Sequence, residues 1–367
     1  MNVEQLVQDG VSGIATYTAQ LVQTLPRHGW DVTAFTARHA RPHVDAAMRA
    51  AGLLETDAVV LPLPRPLLYD AWHTIGAADP LRRIAPVDLV HAPSVAVPPV
   101  SDVPLVVTAH DAAPVTFPET FTRRGRWFHH RGFAAAAKRA RRVIAVSEFS
   151  ADELAAHTRI PRERIRVVPN GVVVIPATGD EIASARARIG VGDRPYVLWV
   201  GTVQPRKNVG VLVEAFRGAV TTGVPHALVL VGAQGWLDAG VGARDGDAEW
   251  LVMPGPIAAP ELAALYAGAD VFALPSLHEG FGLPALEAMG QGTPALLSDI
   301  PALREVAGPA ARYVPPTDVG AWRDELVDLL GHGAARTAMA EPGRARAADF
   351  TWDRCAAATA AVYEEAL

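Results

Sequence analysis

The chain has a single cysteine, Cys355, among its 367 residues. A lone cysteine excludes an internal disulfide, and no His or Cys stands beside it in the sequence at metal-ligand spacing. We therefore expect Cys355 to be a small apolar residue on a C-terminal helix. Lysine and asparagine are also scarce, with two and three copies against 31 arginines, so each of them is conspicuous.

Long apolar runs are missing as well. No stretch approaches the roughly 20 apolar residues of a membrane-spanning helix, and the opening MNVEQLVQDG lacks the basic and apolar regions of a signal peptide. We therefore expect a cytoplasmic protein. Half of the residues are apolar, a fifth are charged and the mean hydropathy is +0.16, which is typical of a globular chain with room for two domains.

Acidic residues are absent from residues 120–147, which hold eight Lys/Arg beside Trp127, Phe128 and Phe133. The whole chain has a net charge of −6, so this segment is a local exception. Three interpretations stay open: a solvated helix face, a site for an acceptor phosphate, or a dock for anionic lipid at the inner face of the membrane. No nucleic acid partner is expected.

Apolar runs bounded by turn residues recur along the chain, with helical segments between them. In the first half they are LVQTL, DVTAFTA, DAVVLPL, DLVHAPS, PLVVTAHD, RVIAVS and RIRVVPNG. The pattern restarts with YVLWVG, ALVLVG, EWLVMPG, DVFALPS and TPALLS. Strands that alternate with helices predict parallel sheets, and hence an α/β protein with two Rossmann-like domains, residues 1–175 and 176–350, facing a central cleft.

Ligands of such sheets bind at the carboxyl ends of the strands. There, after YVLWVG, lie Arg206 and Lys207, followed by a helix for which Asn208 is a plausible N-cap. A guanidinium, an ammonium and the free N–H groups of a helix start suit a diphosphate. A solvated pair in an exposed loop is the alternative.

The segment SLHEGFGLPALEAMGQG places Glu279 in a loop and Glu287 about one turn into a short helix, with Pro284 in its first turn. Each carboxylate alone is explained by solvation or by the helix dipole. The pair is different because Gly280 and Gly282 let the backbone approach a ligand closely, while the two carboxylates accept hydrogen bonds from hydroxyls. A nucleotide sugar uses all of these features.

Two further strands, HALVLVG and EWLVMPG, also end at glycines. We place a nucleobase at Met253 to Ile257, held by main-chain groups around Met253 and Gly255. In the first half, Gly10 and Gly13 are predicted to lie between the first strand and a helix, for which Ser12 is a simple cap. The strand PLVVTAHD ends at His110 and Asp111, and a lone histidine at a strand end is usually structural.

The combined motifs resemble a known family. They are PRKN, EGFGLPALE with its two glutamates eight positions apart, GTPALLSDIPALREVAG, VSEFSADEL, RIRVVPNGV and FTWDRCAAATAAVYEEAL. Together they cover nearly the whole chain and resemble the retaining glycosyltransferases of family four, which have the GT-B fold. The PRKN, GAQGW and SDIPALREV variants are similar to those of mannosyl- and rhamnosyltransferases.

The resemblance implies a nucleoside-diphosphate sugar as co-substrate on the second domain, an acceptor on the first, and retained anomeric configuration without a metal or other cofactor. It also implies that residues 351–367 form a helix returning to the first domain. The implied catalytic residues are His110, Arg206, Lys207 and Glu279. The implied donor-binding residues are Gly13, Arg206, Lys207, Met253, Gly255, Glu279, Gly280, Phe281, Gly282, Leu283 and Glu287. The implied acceptor-binding residues are Gly10, His110, Asp111 and Ser147, with Asn170 a weaker candidate.

Several alternatives are weighed against this interpretation. A nicotinamide dehydrogenase is excluded because the first strand lacks a Gly-x-Gly-x-x-Gly turn. A GT-B sugar-nucleotide epimerase and a catalytically silent sugar-nucleotide-binding protein remain open. GDP-mannose is the best guess for the donor, ahead of dTDP- or UDP-sugars. The acceptor is a lipid-linked glycan, a glycolipid or a small molecule.

Overall fold

The computed structural model describes residues 1–8, 12–54, 56–84, 86–235, 241, 244 and 246–367. The chain forms two compact units. Unit 1 comprises Met1–Gly171 and Thr351–Leu367, and unit 2 comprises Val172–Phe350. The boundaries therefore follow Gly171 and Phe350, where the sequence places them after residues 175 and 350. Within the described residues, no helix is both long enough and apolar enough to cross a bilayer.

Unit 1 is an α/β unit with parallel strands. Its strands are β1 Ala34–Thr36, β2 Ala58–Val60, β3 Val90–Ala92, β4 Leu105–Ala109, β5 Arg142–Ala145 and β6 Ile165–Val167. Its helices before unit 2 are α1 Glu4–Val7, α2 Gly13–Thr24, α3 Arg41–Ala50, α4 Arg65–Thr74, α5 Ala113–Thr116, α6 Arg123–Arg139 and α7 Glu148–His157. The parallel pairs run β1-β2 and β3-β4-β5-β6, and β4 and β5 are buried almost throughout.

Two predictions for the start of the chain are wrong. The run LVQTL is not a strand: it completes α2 and a following turn, because Tyr17, Leu21 and Leu25 repeat at helical spacing and pack on one face. The predicted first strand is reduced to Asn2, which bridges Phe35 and donates its N–H to the carbonyl of His91 at 3.2 Å. The next residues form α1.

Unit 2 repeats the α/β pattern. Its strands are β7 Tyr196–Val200, β8 Ala227–Val231, β9 Leu251–Gly255, β10 Val271–Leu274, β11 Ala295–Ser298 and β12 Arg312–Val314. Its helices are α8 Gly179–Arg188, α9 Val209–Val220, α10 Ala259–Ala267, α11 Leu283–Gln291, α12 Pro301–Ala307, α13 Val319–Gly331 and α14 Gly333–Ala348. The parallel order is β12-β11-β10-β7-β8-β9. The chain thus builds outward from β7 in one direction and from β10 in the other, so β7 and β10 flank the topological switch point where such sheets bind ligands.

The chain then returns to unit 1 as α15, Trp352–Ala366. Thr351 caps the helix by accepting a hydrogen bond from the N–H of Arg354 at 3.2 Å. Its apolar face packs with α2, β4 and β5 in one cluster that includes Cys355, which is buried as predicted. Gly171 lies where the chain leaves unit 1, and a Cβ there would sit 2.3 Å from the nitrogen of Trp352.

Candidate functional site

The loop after β7 is fixed by Asn208. This residue adopts a left-handed backbone conformation, with φ of 54°, which asparagine tolerates better than most residues. Its side-chain amide donates to the carbonyls of Pro275 and Pro316, at 3.0 and 2.7 Å. Asn208 occupies the N-cap position of α9, as predicted, but its side chain makes no capping hydrogen bond. The amide instead joins three loops at the carboxyl edge of the sheet.

Two cations from this loop converge on one carboxylate. The Nζ of Lys207 donates to Oε1 of Glu279 at 2.6 Å, and Nη1 of Arg206 lies 3.6 Å from Oε2. The Oγ of Ser276 donates to the same Oε1 at 2.6 Å. The side chains of Arg206, Lys207 and Glu279 are 13%, 12% and 7% exposed, so this cluster is largely removed from water.

Two hydrogen bonds join the loop that follows β7 to the loop that follows β10. The N–H of Leu277 donates to the carbonyl of Arg206 at 2.9 Å, and Nη1 of Arg206 donates to the carbonyl of His278 at 2.5 Å. One loop follows β7 and the other follows β10, so the cluster lies at the switch point of the sheet. The structure thus brings three of the predicted site residues into direct contact.

The electrostatics of the cluster keep Glu279 ionised. Burial alone would raise the pKa of Glu279, but the charges of Lys207 and Arg206, with hydrogen bonds from Lys207 and Ser276, lower it to about 2. The three side chains then carry one net positive charge. An anion that enters this site meets a positive field, although a carboxylate is part of it.

Glu287 lies on the neighbouring helix α11 in a different environment. The hydroxyl of Tyr266, from α10, donates to Oε2 of Glu287 at 2.8 Å. Burial raises the pKa of Glu287, and the hydrogen bond from Tyr266 opposes the rise. The hydrogen bond thus orients Oε2 of Glu287, while burial makes the charged form of the side chain less favourable.

The start of α11 requires glycine. Gly282 caps the helix with φ of 99°, and a Cβ there would lie 2.6 Å from Cδ2 of Leu303. Phe281 points into the core and packs edge-on against Phe350, with ring centroids 5.6 Å apart. Leu283 is half-buried at the first helical position, so Gly280 to Leu283 can meet a ligand mainly through backbone groups.

The predicted nucleobase positions lie on β9, at the edge of the sheet in unit 2. Met253 is 42% exposed, which is unusual for a large apolar side chain. Gly255 ends the strand with φ of 81°, and its carbonyl accepts from the N–H of Gly232 at 3.0 Å. The cation cluster lies in the loops after β7 and β10, whereas Met253 is in the middle of β9 and Gly255 is its last residue, at the carboxyl end of the sheet.

In unit 1, His110 follows β4 and is held on two sides. Its Nε2 donates to the carbonyl of Pro93 at 2.9 Å, since a carbonyl can only accept, and its ring meets that of Tyr17 edge-on at 5.0 Å. Burial lowers the pKa of His110, against the hydrogen bond to Pro93 and the charge of Asp111. The neutral ring therefore presents Nδ1 as an acceptor.

The other predicted residues of unit 1 have local structural contacts. Oδ1 of Asp111 accepts from the N–H of Ala113 at 3.0 Å, and Oγ of the fully buried Ser147 accepts from the N–H of Ser150 at 3.0 Å. Gly13 is exposed at the start of α2, which Ser12 caps as expected. Gly10 lies outside the described residues. The roles assigned to these residues stay predictions.

Two residues of the site were not identified from the sequence, and Asn170, a weaker candidate there, has no assigned contact for its side-chain oxygen in the described part of the chain. Ser276 stands three positions before Glu279, a local signal that was available. Tyr266 stands 21 positions before Glu287 on another helix, so only the fold reveals the pair. Asn170 is buried, and its Oδ1 has no hydrogen-bond partner among the described residues. Over the same part of the chain, no three His, Cys, Asp or Glu side chains converge as metal ligands.

Comparison with known proteins agrees with this architecture. Residues 11–174 match Glycosyltransferase Family 4, and residues 194–332 match Glycosyl transferases group 1. The chain is 30% identical over 268 residues to the O-antigen chain mannosyltransferase B of Escherichia coli, across 71% of this chain and 70% of the relative. It is 33% identical over 280 residues to the MMP alpha-(1->4)-mannosyltransferase of Mycolicibacterium hassiacum, across 72% of this chain and 66% of the relative.

Solved structures show the same fold. Sucrose-phosphate synthase from Thermosynechococcus elongatus superposes with a TM-score of 0.75 at 22% identity, over 99% of this chain and 96% of that chain. The chain therefore belongs to glycosyltransferase family 4, in the group 1 glycosyl transferases, and has the GT-B fold. It is a glycosyltransferase with mannosyltransferase relatives at about 30% identity. The family and fold predicted from the sequence are confirmed.

Proposed function

We propose that the chain transfers a hexose from a nucleoside-diphosphate sugar, with GDP-mannose as the best single candidate, to a hydroxyl of a glycan, a glycolipid or a small molecule. The proposal includes retention of the anomeric configuration and no requirement for a metal. The observation that carries it is the contact of Lys207 and Arg206 with Glu279 at the switch point of unit 2. The mannosyltransferase relatives support the choice of sugar.

In this proposal the two cations bind the diphosphate. Negative charge grows on the leaving diphosphate as the glycosidic bond breaks, so preplaced cations stabilise the transition state more than the bound substrate. Their positions are fixed before the donor arrives, because Arg206 is bonded to the carbonyl of His278 and Lys207 to Glu279. Metal independence is proposed because these side chains supply the positive charge.

The two glutamates then hold different parts of the donor. The ionised Glu279 accepts from hydroxyls of the sugar, while the positive charge around it offsets its repulsion of the diphosphate. Glu287, oriented by Tyr266, accepts from the ribose. Gly280 to Leu283 approach the sugar and phosphates through backbone N–H groups, and Met253 and Gly255 flank the base. Neither glutamate acts as the acid or base of a glycosidase pair.

We assign the acceptor to unit 1. His110, neutral and with Nε2 committed to Pro93, accepts through Nδ1 from the attacking hydroxyl and orients it. The hydroxyl proton passes to the leaving phosphate oxygen rather than to His110. Gly10, Asp111 and Ser147 are the remaining acceptor candidates, and Gly13 is a donor candidate at the start of α2.

Activity with a panel of nucleotide sugars tests the proposal. GDP-mannose, dTDP-rhamnose and UDP-glucose are each incubated with polyprenyl-linked, glycolipid and cyclitol acceptors, with and without EDTA. Mass spectrometry identifies the product, and NMR of its anomeric proton gives the configuration. Transfer with retention that survives EDTA is expected. An inverted product, or loss of activity in EDTA, would contradict the corresponding part of the proposal.

Donor incubated without acceptor separates the alternatives. An epimerised nucleotide sugar would identify an epimerase. A protein that binds donor but transfers to none of the acceptors would fit a silent binding protein, especially if Lys207→Met changed nothing beyond affinity. The proposal expects only slow hydrolysis in this control.

We also propose that helix α6 docks the protein on anionic lipid. Arg123, Arg131 and Lys138 are exposed on this helix. The guanidinium of Arg124 lies 4.7 Å from the ring centre of Trp127, and that of Arg131 lies 6.0 Å from it, so an aromatic ring sits between cations. Such a face suits the interface of an anionic bilayer.

Flotation with anionic vesicles tests this docking. Each Lys or Arg contributes about 1 kcal/mol near such a surface, so Arg123→Ala with Arg131→Ala should reduce binding about 30-fold. Neutral vesicles serve as the control. Wild-type protein that stays at the bottom with both kinds of vesicle would refute membrane docking.

A further inference from the structure

A cavity of about 330 Å³ lies in unit 1, away from the residues assigned above to the transfer reaction. Lys138, on its wall, also belongs to the face of α6 that we propose docks on lipid. Its wall combines the last turn of α6, the start of β5, the turn before β6 and the loop that leads into β4. Five basic side chains contribute to the wall, namely Lys138, Arg139, Arg141, Arg142 and Arg164. Among the residues that the structure describes, no acidic residue lines the cavity.

The position separates this cavity from the substrate site. It meets β4 at Leu105, the first residue of the strand, whereas His110 follows its last residue. A strand rises about 3.3 Å per residue, so the two sites are about 16 Å apart at opposite ends of the sheet. The acceptor-phosphate interpretation of residues 120–147 therefore does not apply to its C-terminal end.

The charges of the cavity are poorly neutralised. Arg142 is paired with Glu365 at 3.1 Å, but Glu365 is shared with Arg166 at 2.7 Å. For Lys138, Arg139, Arg141 and Arg164 the described residues provide no carboxylate within 4.0 Å. Asp102 is exposed on the loop before β4 and does not line the cavity.

Backbone contacts orient two of the guanidiniums without neutralising them. Nη1 of Arg139 donates to the carbonyls of Trp72 and Val97, at 3.1 and 3.4 Å, and Nη1 of Arg164 donates to that of Ala137 at 3.1 Å. Burial lowers the pKa of Arg139, as expected for a cation that loses water without gaining a counter-charge. Four like charges around one cavity repel one another, and a multivalent anion relieves that repulsion.

We propose that this cavity is a binding site for a phosphate group, carried either by a soluble phosphorylated compound or by a lipid headgroup. Arginine forks fit phosphate oxygens in bidentate fashion, and the hydroxyl of Ser101, on the same wall, adds a donor. The volume exceeds that of a single inorganic phosphate, so a diphosphate or a phosphate ester fits. The site is independent of the proposed transfer reaction, because it shares no residue with it.

Pyrophosphate binding to the full chain tests the site. Lys138→Ala with Arg141→Ala removes two exposed side chains that make no hydrogen bond to any described residue, so folding should be unaffected. Arg123→Ala with Arg131→Ala, at the other part of α6, makes the same charge change outside the cavity. Binding is measured at constant ionic strength by equilibrium dialysis, and hydrogen exchange of peptides 98–105 and 136–142 locates it.

The expected result is protection of those peptides by pyrophosphate, with affinity at least tenfold weaker in the cavity variant and unchanged in the control variant. Peptides around residues 204–208 report separately on the donor site of unit 2. Absence of protection at 98–105 and 136–142, or equal weakening in both variants, would overturn the proposal.

Vesicles then distinguish the two sources of phosphate. If the ligand is a lipid phosphomonoester, the cavity variant should lose at least tenfold more flotation with phosphatidic acid than with phosphatidylglycerol at equal charge. If the ligand is soluble, flotation of the cavity variant should fall equally with both lipids, by the charge that Lys138 and Arg141 contribute, while its pyrophosphate binding stays weakened. Either result supports the phosphate site, provided that the peptides are protected.

Discussion

Replacing Lys207 with methionine should harm both stability and catalysis, and a second substitution separates the two effects. Methionine keeps the length of the side chain but removes the charge that lies 2.6 Å from Glu279. Arg206 at 3.6 Å and Ser276 at 2.6 Å remain as partners of the carboxylate. Glu279 is 7% exposed, so water replaces little of what Lys207 provided.

The pKa of Glu279 gives the magnitude. Its decrease from the ordinary value of 4.5 to about 2 corresponds to about 3 kcal/mol, at 1.36 kcal/mol per pKa unit. Breaking a buried ion pair typically costs about 3–5 kcal/mol. Because Arg206 and Ser276 still contribute, we expect Lys207→Met to lower the free energy of unfolding of unit 2 by about 2–3 kcal/mol.

The effect should depend on pH in a defined direction. The pKa of Glu279 is lower in the folded state, so its stabilisation is complete above about pH 4.5 and is lost as the pH falls toward 2. In Lys207→Met the pKa rises, because burial is less well opposed. The difference in stability between wild type and variant is therefore largest near neutral pH and narrows in acid.

The double variant Lys207→Met with Glu279→Gln is the matched control. A neutral glutamine needs no counter-ion, so it should recover most of the lost stability, whereas transfer should stay reduced by a factor of about 10² to 10³. Hydrogen exchange of unit 2 peptides in urea measures stability, and product formation measures transfer. Lys207→Met as stable as wild type, or a double variant that recovers activity, would refute the reasoning.

Three further substitutions, with Gly223→Ala as a control, probe the rest of unit 2. Glu287→Gln should stabilise the fold at neutral pH, because burial raises the pKa of Glu287 and disfavours its charged form. The KM for the donor should rise about tenfold. A lower melting temperature with an unchanged KM would contradict this prediction. Asn208→Gly keeps the left-handed backbone but loses two side-chain hydrogen bonds, so it should lower the free energy of unfolding in urea by about 1–3 kcal/mol and reduce kcat. No change in either quantity would refute the role of these hydrogen bonds in joining the loops. Gly232→Ala should prevent folding of unit 2, because the added Cβ would sit 1.7 Å from the carbonyl oxygen of Gly201. Gly223→Ala, also at positive φ but in open space, should fold with about 1 kcal/mol less stability. Circular dichroism and hydrogen exchange measure both variants, and equal stability of the two would contradict the steric argument.

The strands of unit 2 and the loops that follow β7 and β10 were predictable because their signals are local. YVLWVG and DVFALPS are continuous apolar runs that end in turn residues, and both became strands that flank the switch point. Pro284 and the glycines around it likewise define the start and end of α11. Each of these signals lies within a few residues of the feature that it predicts.

Interactions over long sequence separations were not predictable. The amide of Asn208 reads as a local cap, yet its partners are the carbonyls of Pro275 and Pro316, which only the folded sheet brings near. The run LVQTL is apolar like a strand when taken alone, but Tyr17, Leu21 and Leu25 repeat at helical spacing, which is the local signal for the end of α2. The packing of these residues against α15, by contrast, could not be predicted. Nothing in the sequence indicates that Arg164 and Lys138 line the same cavity.

Because α15 returns to unit 1, the two units are completed in a fixed order during synthesis. Unit 2 is encoded as an insertion within unit 1, so a ribosome finishes the whole of unit 2 before it makes Trp352, Cys355 and Tyr363, which unit 1 needs for its core. Until then the apolar cluster around Tyr17 and Leu21 lacks the side chains that α15 contributes to it. Synthesis should therefore yield a folded unit 2 first, while unit 1 stays incomplete until α15 is made, and the exposed apolar surface of unit 1 can bind chaperones in the interval.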